Sequence, residues 1–102
     1  MIFKVIAEVE AKREWNEAVD WYEARETGVG WRFDDELQAF LQTLAHNPER
    51  FQLAARLTRK AKMPDPWPYS VYFTVNTEYH EVDILAIWHG ARNPTELRQR
   101  LK

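Results

Sequence analysis

The sequence predicts an α+β fold: an N-terminal strand, a two-helix antiparallel hairpin packed on a largely antiparallel sheet of about four strands, and a short C-terminal helix. Three observations carry this reading. The chain opens on a β-prone run, two stretches of helical periodicity follow, and much of the second half alternates with the period of strands.

Residues 2–8 (Ile2, Phe3, Lys4, Val5, Ile6, Ala7, Glu8) form the opening run and read as a mostly buried strand. The period then changes, because Ala11, Trp15, Ala18, Val19 and Tyr22 fall on one narrow stripe of a helix whose other side is charged. Gly28-Val29-Gly30 interrupts that pattern, and two glycines in three residues predict a turn. Beyond it Phe33, Leu37, Phe40, Leu41 and Leu44 repeat the helical stripe, with Asp34, Asp35 and Glu36 read as the acids that favour a helix start. Asn47-Pro48 ends this second helix, since a residue before proline avoids the α region.

Arg56 to Met63 reads as a polar strand, broken by Pro64-Asp65-Pro66. Tyr69, Val71, Phe73 and Val75 then alternate with Ser70, Tyr72, Thr74 and Asn76, the signature of a strand with one buried face. A polar stretch, Asn76-Thr77-Glu78, leads by hairpin into Val82 to Trp88, apolar on both faces and so a central strand. Pro94 opens a terminal helix over Thr95 to Leu101. With the helical hairpin on one side, the other sheet face is expected to stay open.

The 102 residues are expected to make one domain, 1–102, with a single core. Cysteine is absent, which leaves packing to stabilise the fold and suits the cytoplasm. No apolar run has the length of a membrane helix, and the first residues lack the pattern of a signal peptide. The net charge of −2 hides an asymmetry. Residues 1–50 carry 11 acids and 6 bases, whereas residues 51–102 carry 5 and 8, so an anionic partner would meet the C-terminal half.

Several side chains could carry chemistry. His89, at the end of the central strand, has a ring suited to proton transfer near neutrality, with a structural histidine that caps the sheet or packs against the terminal helix as the plainer role. Arg92, three residues on, could contact a phosphate or an acidic partner, or form a surface ion pair. Arg56, Arg59, Lys60 and Lys62 make a basic cluster that could clamp a nucleic-acid backbone or simply keep an edge strand soluble. His46 and His80 read as solvent-facing. His80, Glu81, Asp83 and His89 match no metal-site spacing, so no metal and no cofactor is expected.

Five motifs fall in order along the chain. They are Glu17-Ala18-Val19-Asp20-Trp21-Tyr22-Glu23, the glycine-bearing Gly28-Val29-Gly30-Trp31-Arg32-Phe33, Asn47-Pro48, Pro68-Tyr69-Ser70-Val71-Tyr72, and Ile84-Leu85-Ala86-Ile87-Trp88-His89-Gly90-Ala91-Arg92-Asn93-Pro94. Together they span nearly the whole sequence, which resembles the RelE/ParE toxin superfamily. The resemblance implies the growth-inhibiting half of a type II toxin–antitoxin pair, neutralised by a cognate antitoxin and hetero-oligomeric with it. Trp15, Trp21, Tyr22 and Trp31 are then candidate antitoxin contacts, with core packing as the plainer role for the first three.

Relatives of this fold follow two trades: some cleave messenger RNA on the ribosome, and others inhibit DNA gyrase without nuclease chemistry. This sequence has Ser70 where messenger-cleaving relatives carry an arginine after the strand tyrosine, and no tyrosine in Asn93 to Lys102. With the acidic net charge, these departures favour a protein-directed toxin like the gyrase inhibitors, with Arg56, Arg59, Lys60, Lys62 and Tyr72 as target-facing residues. The alternative is a metal-independent endoribonuclease acting with Arg59, Lys62, His89 and Arg92. A third reading is a non-toxic binding module of the same fold.

Overall fold

The computed structural model describes residues 2–102, in the order β1 (Lys4–Ala7), α1 (Val9–Arg25), α2 (Val29–His46), β2 (Thr58–Lys62), β3 (Tyr69–Asn76), β4 (Glu81–His89) and α3 (Pro94–Arg98). The sheet runs β1-β4-β3-β2, with β1 parallel to β4 and the other neighbours antiparallel. The α+β layout, the helical hairpin and the central position of β4 are as the periodicities predict.

The core lies between the hairpin and one sheet face. Phe33, Leu37, Leu41 and Leu44 of α2 pack on Val71 and Phe73 of β3 and on Val82, Ile84 and Ile87 of β4. A register shift between Tyr72 and Phe73 leaves Leu85 as an extra residue in β4, since Tyr72 pairs with Ala86 and Phe73 with Ile84. Leu85 is the bulged residue, and the extra position switches the alternation, so that Ile87 joins Val82 and Ile84 on the hairpin side while Ala86 and Trp88 take the other face.

The structure corrects several expectations. The first strand is an edge strand of four half-buried or exposed residues, because its parallel register covers only Glu81 to Ile84 before Glu8 caps α1. The buried stripe of α1 is Ala11, Glu14 and Ala18, while Trp15, Val19 and Tyr22 are half-buried against its neighbours. The turn between the helices is Glu26 to Gly28, earlier than the glycine pair suggests, since α2 starts at Val29 and Gly30 is inside it. Of these two glycines only Gly28 takes the left-handed conformation, at φ 93°. Gly30 is required by packing: a Cβ there would run into the Val19 carbonyl and the Glu23 side chain of α1. Because the helix starts this early, Asp34, Asp35 and Glu36 lie beyond the first turn. Asp34 instead accepts from Trp15 Nε1 at 2.6 Å, and Glu36 from Trp67 Nε1 at 2.8 Å.

The second sheet face is partly covered rather than open. Leu97 of α3 packs on Tyr72, Ala86 and Trp88, so Tyr72 is buried where alternation alone places it in solvent. The terminal helix is also shorter than predicted, and residues 99–102 run on to β2, where Lys102 exchanges hydrogen bonds with the Thr58 hydroxyl. His80 is not solvent-facing: its ring stacks on Phe3 at 3.7 Å. No helix among the described residues is long and apolar enough to cross a membrane.

Candidate functional site

Where β1 ends, α1 takes over the flank of β4, and the space between its C-terminal half and the ends of β3 and β4 is a cleft of about 500 Å³. Trp21 and Tyr22 form the helical wall, Pro66 and Pro68 the loop wall, and Tyr69, His89 and Arg92 the strand-end wall. Tyr69 and His89 are register partners, which sets their rings edge to face at 5.1 Å. The His89 Nδ1 accepts from the Ala91 N–H at 3.0 Å, so the neutral ring carries its proton on Nε2, a donor. Burial, reinforced by neighbouring Tyr22, pushes the Tyr69 phenol up to about 12, and it stays a donor at physiological pH. Burial also raises Tyr22.

The floor beside this cleft is Glu14, which the sequence reading missed. Its side chain is 3% exposed and every lone pair is used. Oε1 accepts from the Ile87 N–H at 3.0 Å and from Arg100 at 3.2 Å, and Oε2 accepts from Arg92 at 2.9 Å and Arg100 at 2.7 Å. A carboxylate buried this way needs paired cations and full hydrogen bonding to offset desolvation. The cost is shared across the sheet, since both guanidiniums lie over the Trp88 ring, Arg92 at 3.9 Å and Arg100 at 5.7 Å. A signal was present: Glu14 sits three residues after Ala11 and four before Ala18, on the helical stripe itself.

The structure gathers four of the sequence-derived candidates, Trp21, Tyr22, His89 and Arg92, at this one cleft and disperses the others. Arg92 is held on Glu14 and on Glu96 at 3.2 Å. Trp21 is 49% exposed with the Arg25 guanidinium 3.5 Å over its ring. Trp31, 65% exposed, stands at the start of α2 outside the cleft, and Trp15 lines a separate groove between β1 and the helices.

The basic cluster does not act as a unit. Alternation along β2 puts Arg59 and Lys60 on opposite faces. Arg59 donates to the Glu49 and Phe51 carbonyls, Lys60 lies 5.8 Å over the Tyr72 ring, Lys62 is 4.0 Å from Asp65, and Arg56 is exposed in the preceding loop. Among the described residues, no group of three His, Asp or Glu could hold a metal ion.

The family described as ParE toxin of type II toxin–antitoxin system, parDE, matches residues 5–94. Toxin RelE1 of Caulobacter vibrioides is 29% identical over 92 residues, covering 88% of this chain and 96% of that protein. Among solved structures, the chromosomal ParDE system of P. aeruginosa superposes with a TM-score of 0.74 at 15% identity, over 86% of this chain and 96% of that one. A free E. coli RelE mutant gives 0.69 at 16% identity, over 98% and 94%. The RelBE2 toxin–antitoxin complex of Mycobacterium tuberculosis gives 0.58 at 18%, over 87% and 99%. At these identities the solved structures speak for the fold.

Proposed function

The chain belongs to the ParE toxin family of type II toxin–antitoxin systems, and from that premise we propose that it arrests growth by gripping a protein, DNA gyrase, rather than by cutting RNA. One observation carries the choice: the arginines a nuclease would hold over phosphate are already engaged internally. Arg92 is bound by Glu14 and Glu96, and Arg59 by two main-chain carbonyls. Stabilising the charge that develops on a scissile phosphate needs preorganised, uncommitted donors. At the cleft these reduce to the His89 and tyrosine protons.

The runner-up is a ribosome-dependent endoribonuclease. Lys60 and Lys62 beside Tyr72 on the second sheet face favour it, as does the sequence likeness to RelE1. His89 stands apart from those lysines, because its register partner is Tyr69 and its neighbour Trp88 carries the second face. The non-toxic module is the third reading.

The partner we assign is a cognate antitoxin contacting Trp21, Tyr22 and Trp31, with Trp15 offering only the part of its ring that Asp34 and the helix interface leave free. A neighbour, E. coli RelE, has a structure with an antitoxin peptide bound. The test is induction of the chain in cells, with transcript ends mapped. Growth should stop with intact messages, and Lys60→Ala with Lys62→Ala should leave the arrest in place. Cleaved messages that vanish in the double variant would transfer the assignment to the nuclease.

A further inference from the structure

Strand β1 covers only the first half of β4. Its last register pair is Ala7 with Ile84, yet β4 continues to His89, so the outer edge from Leu85 onward has no strand beside it. Part of that edge is closed by side chains: the Leu85 carbonyl accepts from Arg100 at 2.6 Å and the Ile87 N–H donates to Glu14 at 3.0 Å. The Ile87 N–H therefore points away from β3. The alternation of an antiparallel ladder sends the Ile87 carbonyl and the His89 N–H the same way, toward the cleft both residues line.

These two groups have a specific meaning. An antiparallel newcomer would need the N–H and C=O of a single residue. That is blocked at Ile87, whose N–H is on Glu14, and at His89, whose carbonyl accepts from the Arg92 N–H at 3.0 Å. A parallel strand instead needs the carbonyl of one residue and the N–H of the residue two further on, which is the pair left over. We propose that the cleft seats an extended segment of the antitoxin, added parallel to β4 in the line that β1 abandons at Ala7. One large apolar side chain of the segment fills the space between Trp21 and the Pro66–Pro68 loop. Main-chain hydrogen bonds then supply affinity and the aromatic pocket supplies selectivity. The inference rests on the proposed antitoxin pairing, but not on the identity of the target.

The probe is a blocked pentapeptide, Ac-Thr-Thr-Leu-Thr-Thr-NH2, beside a counterpart N-methylated at leucine, titrated into the intact chain to about 5 mM with amide shifts and exchange as readout. The expected result is a shifted, slower-exchanging His89 amide, at least a tenfold weaker effect with the N-methylated peptide, and weaker binding by Trp21→Ala, whose side chain is half in solvent. An undisturbed His89 amide, equal binding of both peptides, or shifts confined to the opposite end of the sheet at β2 would overturn it. Peptide binding at His89 without gyrase inhibition removes the target and keeps this seat, and the reverse outcome removes the seat alone.

Discussion

Glu14 joins three elements at one carboxylate, because it caps the β4 edge through Ile87 and anchors Arg92 and Arg100 from the C-terminal segment. Replacing it with alanine strands a buried main-chain donor and two cations, so Glu14→Ala should cost about 2–4 kcal/mol, discounted for the partial exposure of both arginines. Glu14→Gln keeps an acceptor for Ile87 and should cost less than half as much. Urea midpoints measure both, and equal losses would mean that charge is irrelevant there. Tyr69 yields a pH prediction. Its folded pKa lies above the ordinary 10.0, near 12, so in that interval the unfolded chain has lost a proton the folded chain keeps. Stability should therefore be intact below pH 10 and fall as the pH climbs toward 12. Tyr69→Phe should flatten that fall and remove the last phase of an ultraviolet tyrosine titration.

The helical hairpin was legible because Phe33, Leu37, Leu41 and Leu44 keep one period across α2. Its turn was misplaced because glycine has two uses that sequence does not separate. Gly28 serves the backbone with its positive φ, whereas Gly30 lets α1 and α2 approach closely. Gly30→Ala should thus destabilise by about 1–3 kcal/mol through overpacking, against a small gain expected of an ordinary helical position. A thermal melt decides the sign, and stabilisation would mean that the helices part without cost. Strand β3 shows a different limit. Its period was read correctly, but Tyr72 was assigned to solvent, since nothing in the alternation announces that Leu97 will fold back over it.

Across the whole molecule the sheet presents two unlike sides, one under the hairpin with the cleft at its rim, the other crossed by α3 and carrying Lys60 and Lys62. The basic half seen in the sequence is real in composition, yet Glu14, Glu96 and main-chain carbonyls consume Arg92, Arg100 and Arg59 before any partner arrives. Counting charges along a chain cannot reveal which are spent internally, which is why the candidate residues were only half grouped by sequence. His89, Arg92, Trp21 and Tyr22 meet at the cleft, while Tyr69 and Glu14 emerged only with the fold. The proposed action on a protein target is tested most directly by a supercoiling assay with purified gyrase and relaxed plasmid, run beside cell-free translation with the same toxin preparation. Dose-dependent loss of supercoiling with translation unaffected is the expected result; halted translation with cut message and full gyrase activity would contradict the gyrase assignment.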